Sequence, residues 1–310
     1  MSIITGQQLA RYFEQYGSIE VTFNKQVIAA TGLVTRNVYL KIQDRQVPCV
    51  VFSSSMAAAK VVAGVKSPIF AALKQTGNRL TLRWCFKRPE KVEPITFFVT
   101  CHTTGFTPYS VQDPDVQMIT LEYAQRPPDD LIQILGTLLE ANCNSKRRKE
   151  ERIVITPESM KKFGLESRDA LLFVDGTARR CVLRDVSFGG AKVLAPGLAE
   201  SDLEKQVSLK IAKGEQAMEM TLPGVIKRIE EVGGRKDIVA VSIQYSADPP
   251  MTYKLLINSF LTSMRKVCRE PEKPPAPGDA ITKPAEPAAP PPPAAADGAP
   301  GEKGPGPRDG

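Results

Sequence analysis

The chain has 310 residues, enough for about two domains with a core each. The sequence disfavours a membrane-spanning protein, because no stretch approaches the roughly eighteen apolar residues of a membrane span. It disfavours an exported protein, because no basic and apolar leader opens the chain. It also disfavours a zinc or redox protein, because the six cysteines lack the CxxC spacing of such sites. The net charge of +7 suits an anionic partner, and we expect a cytoplasmic protein with reduced thiols.

The N-terminal part of the chain has the pattern of a β-rich domain, which we place at residues 1–126. Apolar residues recur at helical spacing over 5–16 and predict an amphipathic helix. A second, short helix is predicted over 56–65. Strands are predicted where side chains alternate or β-branched residues are enriched, at 19–23, 27–34, 38–42, 47–52, 80–86, 95–103 and 116–123.

A helical linker is predicted over 127–146. Two prolines precede it, and Asp129 and Asp130 fall in its first turn, where carboxylates favour the helix dipole. A basic run follows directly, which makes residues 142–152 a candidate hinge between domains. A passive linker is the alternative for this segment.

The C-terminal domain is placed at residues 147–267. Asp175-Gly176 and Gly233-Gly234 predict two tight hairpins, and Pro250 introduces a closing helix. Strands are predicted at 153–156, 170–174, 178–184, 191–194, 207–212, 217–221, 224–231 and 238–244. The fold class predicted for the whole chain is mainly β, with two small antiparallel β-barrel domains and flanking helices.

Residues 268–310 are predicted to be a disordered tail rich in proline, alanine and glycine. The segment from Arg269 onward holds 13 of the 26 prolines and one strongly hydrophobic residue, so it cannot bury enough apolar area to offset ordering. Without its five basic and seven acidic residues the net charge is +9, so the positive field belongs to the folded part.

Two short motifs in the second half of the chain bear on function. Arg148 and Arg152 form an RxxxR segment, and Asp185, Ser187 and Gly190 form a DxSxxG segment. The short strands between them allow both motifs to meet on one face of a small barrel. Neither motif suits catalysis, but together they suit an anionic guanine nucleotide.

This pair of motifs, in this order and at this separation, resembles the signature of the PilZ family, whose members are bacterial receptors for cyclic di-GMP. The resemblance covers residues 145–266, and the preceding run is similar to the N-terminal domain of two-domain PilZ proteins. It implies a barrel with a C-terminal helix. It also implies that the ligand contacts Arg148, Arg152, Asp185, Ser187 and Gly190.

The chemistry of the motif residues fits such a ligand. A guanidinium can donate two parallel hydrogen bonds to guanine, stack on a base or clamp a phosphate. The short side chains of Asp185 and Ser187 can accept from a guanine edge or bond a phosphate oxygen. Glycine lets a ligand approach the backbone and permits positive φ at a turn. We extend the site to Arg147 and Gly189 on the same grounds.

Other functions find less support in the sequence. The basic run by itself resembles a solvated linker, and DxSxxG by itself resembles a turn whose Asp and Ser bond local backbone.

An enzyme is disfavoured because the single histidine, His102, has no motif around it and no phosphate loop, zinc motif or nucleophile elbow occurs. A basic β-barrel that binds nucleic acid is the main alternative, although aromatic residues are only 6%. A PilZ fold that acts as an adaptor without ligand is disfavoured because every motif residue is present.

The sequence therefore predicts a non-enzymatic, cytoplasmic receptor for cyclic di-GMP that needs no cofactor. The predicted ligand site comprises Arg147, Arg148, Arg152, Asp185, Ser187, Gly189 and Gly190. The resemblance implies control of motility or virulence through a downstream protein that no residue identifies. One ligand or a stacked pair is compatible with such a site.

Overall fold

The computed structural model describes residues 5–88, 92–110, 112–213 and 218–267. These residues form a mainly β structure with two closed six-stranded barrels and few helices, which confirms the predicted fold class. The tail predicted over 268–310 lies outside the described residues.

The first barrel is built from the N-terminal part of the chain. Its elements are α1 (Gly6–Tyr16), β1 (Val21–Thr22), α2 (Lys25–Thr31), β2 (Tyr39–Ile42), β3 (Arg45–Ser54), β4 (Ala58–Gly64), α3 (Ser67–Gln75), β5 (Arg79–Phe86), β6 (Ile95–Pro108) and β7 (Val116–Tyr123). The barrel strands run in the order β3-β2-β5-β6-β7-β4, and β4 pairs back onto β3 to close the barrel. Strand β1 pairs with the end of β3, beyond the residues that pair with β2.

The prediction of a strand over 27–34 is wrong, because most of this segment is helix α2. The side chain of Asn24 accepts a hydrogen bond from the Val27 N–H at 2.9 Å and caps the start of the helix. Gly32 ends it in a left-handed conformation with φ of 71°. A short run of β-branched residues does not distinguish strand from helix, whereas the two caps do.

The prediction of a helix over 56–65 is also wrong, because the segment is strand β4. Its buried side chains alternate, and Ala59, Val61 and Ala63 face the core. The hydroxyl of Ser55 accepts from the backbone N–H of Ala57 and of Ala58, which makes the turn from β3 into β4. Pairing with β3 on one side and β7 on the other closes the barrel, and an alanine-rich segment adopts the strand conformation in that position.

Helix α4 (Asp129–Arg147) follows the first barrel and is continuous through the first part of the predicted hinge. Within residues 142–152, only the stretch after Arg147 lies outside the helix. Gly136 lets α4 cross α1 closely, since a Cβ at this position would lie 2.3 Å from the ring of Tyr12.

The C-terminal part of the chain contains β8 (Ile153–Val154), α5 (Pro157–Phe163), β9 (Asp169–Val174), β10 (Thr177–Val186), β11 (Gly190–Pro196), β12 (Gln206–Lys213), β13 (Met218–Val232), β14 (Arg235–Tyr245) and α6 (Met251–Val267). The second barrel has strand order β11-β14-β13-β12-β9-β10, and β10 pairs back onto β11 to close it. Strand β8 pairs with the end of β10, beyond the residues that pair with β9. Both predicted hairpins are present, with φ of 50° and 78° at Asp175 and Gly176, and 55° and 75° at Gly233 and Gly234.

Two local predictions in this barrel need correction. The strands predicted at 217–221 and 224–231 are one strand, β13, which continues through Pro223 and Gly224. Helix α5 was not predicted, although the sequence carries its signal. Thr156 and Ser159 form a reciprocal capping box with Pro157 in the first turn.

Helix α6 packs side chains against the hydrophobic cores of both barrels. Met251 and Leu255 pack against the N-terminal core, whereas Tyr253, Ile257 and Leu261 are buried in the C-terminal core. Residues four apart lie on one face of a helix, so these are two different faces of α6. The helix also packs against α4 and against α2 of the first barrel, so helix contacts join the two barrels.

Candidate ligand-binding site

Strand β8 brings the two sequence motifs together. It begins directly after Arg152 and pairs with the end of β10, so that Val154 is opposite Asp185 and Ile153 is opposite Val186. The Ile155 N–H donates to the Arg184 carbonyl at 2.8 Å and extends this pairing. The arginine segment is thereby held along the strand that carries Asp185.

Arg152 and Asp185 form an ion pair in which the guanidinium donates to Oδ1 of the carboxylate at 2.6 Å. The carboxylate side chain is 13% exposed and the guanidinium side chain is 43% exposed. The bond uses one of the two carboxylate oxygens. Opposite Asp185 on the next strand lies Lys192, which pairs with Glu230. Hydrogen bonding from Lys192, and then from Arg228, lowers the pKa of the Glu230 carboxyl.

The DxSxxG turn is held together by the side chain of Ser187. Its hydroxyl oxygen accepts from the N–H groups of Gly189 at 3.3 Å and Gly190 at 3.1 Å, and the residue is buried. The hydroxyl thus bonds local backbone in this structure. The Gly189 N–H also donates to the Lys149 carbonyl at 3.1 Å, which links the turn to the arginine segment directly after Arg148.

Neither Gly189 nor Gly190 has the positive φ that glycine permits. Close backbone packing requires glycine at position 190, and at position 189 a side chain would crowd the neighbouring backbone. A Cβ at Gly190 would lie 2.3 Å from the Ile243 carbonyl oxygen of β14, and a Cβ at Gly189 would lie 3.1 Å from the Lys149 carbonyl oxygen.

The other two arginines lie where α4 ends. Arg148 is the C-cap, its N–H donating to the Asn144 carbonyl at 2.9 Å, and its side chain is half-buried. Within the described parts of the chain its guanidinium forms no hydrogen bond or ion pair. Arg147 is exposed on the last turn of α4 and lies near Tyr16 of α1. Burial is the main cause that raises the pKa of the Tyr16 hydroxyl, and the positive charge of Arg147 offsets a small part of this increase. Of the four predicted cationic and anionic side chains, the structure joins Arg152 to Asp185.

Two tyrosines that the sequence analysis did not assign to the site support its turn. The Tyr253 hydroxyl of α6 donates to the Ser187 carbonyl at 2.8 Å, and the hydroxyls of Tyr245 and Tyr253 lie 3.0 Å apart. Since Tyr253 has one hydroxyl proton, Tyr245 is the donor in the second bond. Burial raises the pKa of both hydroxyls, so both remain protonated. Helical spacing identified Tyr253 only as a core residue.

A cleft of about 350 Å³ lies beside Arg152, between β8, α5 and α6. Lys162, Phe260 and Met264 contribute to its walls. Arg152 therefore borders both Asp185 and a partly apolar cleft.

The described residues hold no cluster of His, Cys, Asp and Glu suited to a metal ion. Cys101 is buried in the first barrel, and His102 follows it on the alternate face of β6, so the pair does not form a joint site. Among the described helices, none has the length and apolar character needed to cross a membrane.

Two family models match successive parts of the chain. The PilZN3 domain matches residues 7–142, and the PilZ domain matches residues 146–263. The second match contains every predicted site residue.

Relatives of known description cover most of the chain. The cyclic di-GMP binding protein of Treponema denticola is 39% identical over 267 residues, which are 86% of this chain and 85% of the relative. The structure of the Borreliella burgdorferi PlzA protein in complex with c-di-GMP covers 82% of this chain and 98% of its own, at 21% identity and a TM-score of 0.38. YcgR from Escherichia coli in complex with c-di-GMP covers 79% and 89%, at 15% identity and a TM-score of 0.26.

Proposed function

The chain belongs to the PilZ family, with a PilZN3 domain followed by a PilZ domain, and from this premise we propose that it is a receptor for cyclic di-GMP. The observation that carries the proposal is the double link between the motifs. Arg152 is bonded to Asp185 by side chains, and Lys149 is bonded to Gly189 by backbone. Both motifs therefore line one surface of the second barrel.

The proposed ligand contacts follow from this geometry. Asp185 keeps its second carboxylate oxygen for the N1–H and N2–H₂ edge of a guanine, while Arg152 bonds or stacks on the same base. Arg148 has no competing ion pair among the described residues and supplies a second guanidinium for a base or a phosphate. Ser187 and the two glycines act through the backbone conformation of the turn. Arg147 is the outermost member of the site.

We further infer how ligand binding is transmitted. The segment after Arg147 is the only part of residues 142–152 that is not helical, so it is the part that can close over a ligand. Closure there changes the end of α4, which packs against both α1 and α6. The output is then a change in the geometry between the domains that we place at 1–126 and 147–267, joined by the linker 127–146 and followed by the tail 268–310. This receptor is cytoplasmic and non-enzymatic, and acts on motility or virulence through a downstream protein.

Calorimetric titration with cyclic di-GMP tests this proposal. The wild-type chain and the variants Arg148→Ala, Arg152→Ala and Asp185→Ala are titrated, with GTP as a competing nucleotide. Arg180→Ala is the matched control, because Arg180 is an exposed arginine in the first half of β10, before Asp185. We expect wild type and control to bind alike and each motif variant to bind at least tenfold more weakly. Absence of binding by wild type would overturn the proposal, and a titration with single-stranded RNA over a salt series would follow.

A further inference from the structure

Helix α6 carries three buried polar side chains that all bond outside the helix. Tyr253, Lys254 and Asn258 are 1%, 2% and 3% exposed. Burying a polar group costs free energy unless the group is hydrogen-bonded, so the partners of these side chains fix what α6 must lie against. Those partners include the DxSxxG turn and the part of α4 that leads into the arginine segment.

The first connection reaches the DxSxxG turn. Tyr253 donates to the Ser187 carbonyl at 2.8 Å and is itself bonded to Tyr245. The backbone N–H of Tyr245 donates to the Gly189 carbonyl at 2.9 Å. The turn between Asp185 and Gly190 is therefore held at two of its carbonyl groups by this tyrosine pair.

The second connection reaches the arginine segment. The side-chain amide of Asn144 donates to Oδ1 of Asn258 at 2.6 Å, and the Asn144 carbonyl accepts the Arg148 N–H. One residue thus bonds α6 through its side chain and the start of the RxxxR segment through its backbone. Nearby, the Lys254 ammonium donates to the side chain of Asn142 at 2.9 Å.

The hydrogen bonds of Asn258 also lead, through Glu140, to the N-terminal domain. The Asn258 amide donates to Oε2 of Glu140 at 3.3 Å, and this oxygen also accepts from the Tyr12 hydroxyl at 2.9 Å. Arg11 pairs with the other oxygen of Glu140 at 2.7 Å. A single polar network therefore joins α1, α4 and α6 beside the last turn before Arg148.

We propose that α6 positions both halves of the ligand site, the DxSxxG turn through Tyr253 and the arginine segment through Asn258 and Asn144. The inference rests on the proposed function and extends it to residues outside both motifs. Asn258 also bonds Glu140 of the linker, and Glu140 bonds Tyr12 of the N-terminal domain, so the residue that positions the arginine segment is connected to that domain as well. These are positioning residues, which act on ligand through Ser187 and Arg148.

Crossed double-mutant cycles on the full chain test the two connections separately. Tyr253→Phe removes only the hydroxyl, and Asn258→Leu removes the amide at similar volume. Each is combined with Asp185→Ala, which removes the turn contact, and with Arg148→Ala, which removes the arginine contact. Asn144→Ala breaks the second connection from α4 and replaces Asn258→Leu if that variant does not fold. Ser263→Ala is the control, because among the described residues the Ser263 hydroxyl bonds the Phe260 carbonyl within α6 and no residue outside the helix.

We expect Tyr253→Phe and Asn258→Leu each to weaken cyclic di-GMP binding by about tenfold, and the control to leave it unchanged. The effect of Tyr253→Phe should largely vanish in the Asp185→Ala protein and persist in Arg148→Ala, with the reverse for Asn258→Leu. General loosening of the fold would give equal effects in both backgrounds and would overturn the inference. If wild type binds cyclic di-GMP and the Tyr253, Asn258 and Asn144 variants bind it with the same affinity, the positioning role of α6 is overturned and the receptor function is retained. If wild type itself does not bind, the receptor function fails and this inference with it.

Discussion

The backbone N–H of Gly189 donates to the carbonyl of Lys149 at 3.1 Å, so an interior residue of one motif is hydrogen-bonded to an interior residue of the other. A Cβ at Gly189 would lie 3.1 Å from that carbonyl oxygen and 3.3 Å from the Lys149 Cβ. The close approach sets the distance between the arginine segment and the turn.

Gly189→Ala should therefore weaken cyclic di-GMP binding more than it weakens the fold. The added methyl moves the arginine segment outward by a few tenths of an ångström, and we expect a loss of about fivefold to tenfold in affinity. Calorimetry measures the affinity, and a urea titration measures the stability. Gly64→Ala is the control, because no atom of the described residues lies within 4 Å of the position of its added Cβ. Unchanged affinity in Gly189→Ala would contradict the expectation.

Gly190→Ala should destabilise the protein directly. The added Cβ would lie 2.3 Å from the Ile243 carbonyl oxygen, a backbone atom in the paired strand β14. Strand β11 must then shift away from β14, and we expect a loss of about 1–3 kcal/mol in the free energy of unfolding. Urea denaturation measures the loss against the same Gly64→Ala control. Equal midpoints for the two variants would show that β11 adapts without cost.

Arg152→Lys should separate ligand binding from stability. The ion pair with Asp185 involves a guanidinium that is 43% exposed, so its contribution to stability is at most about 1 kcal/mol. Lysine keeps the charge but loses the planar fork that guanine recognition requires. We expect a nearly unchanged melting temperature and affinity for cyclic di-GMP reduced by roughly tenfold or more. A lysine variant that binds like wild type would show that charge alone suffices at this position.

The free energy of unfolding should fall as the pH rises above about 9, where thiols of the unfolded chain ionise. Burial raises the pKa of the Cys49, Cys101 and Cys181 thiols from 9.0 to about 12. The unfolded chain then releases these protons first, so their contribution is fully present below about pH 9 and is lost as the pH rises toward 12. Each titrating thiol contributes a slope of up to about 1.4 kcal/mol per pH unit.

Urea titrations between pH 8 and 9.5 measure this slope before tyrosines dominate. The variant Cys101→Ala should have a shallower pH dependence than wild type, whatever its absolute stability. An identical slope in both proteins would exclude this thiol as a source.

Asn24→Ala should destabilise the N-terminal domain through helix α2. The Asn24 side chain accepts the Val27 N–H at 2.9 Å, and loss of such a cap costs about 1 kcal/mol. Asn24→Asp retains an accepting oxygen and should be nearly neutral. Thermal or urea unfolding measures both variants. Equal losses in the two would argue against capping as the cause.

The barrel strands were largely predictable from local pattern, and α2 and β4 were not. Most strands carried alternation or β-branched residues bounded by turns, and both Gly-containing hairpins were marked by dipeptides that favour positive φ. The segments 27–34 and 56–65 are short and apolar, and either conformation suits such a run. Their conformation was decided by the caps at Asn24 and Gly32 and by closure of the barrel through β4.

The sequence by itself determined the residue types of the ligand site, because RxxxR and DxSxxG specify guanidinium, carboxylate and glycine at fixed spacing. Only the tertiary structure decided what each does in the folded chain. Pairing of β8 with β10 brought Arg152 to Asp185, and the approach of β14 gave Gly190 its packing role. Tyr253 and Asn258 acquired their partners across helix contacts between residues far apart in the chain. Periodicity reports which face of an element is buried, but the polar atom that a buried hydroxyl or amide will meet is set by how the elements pack.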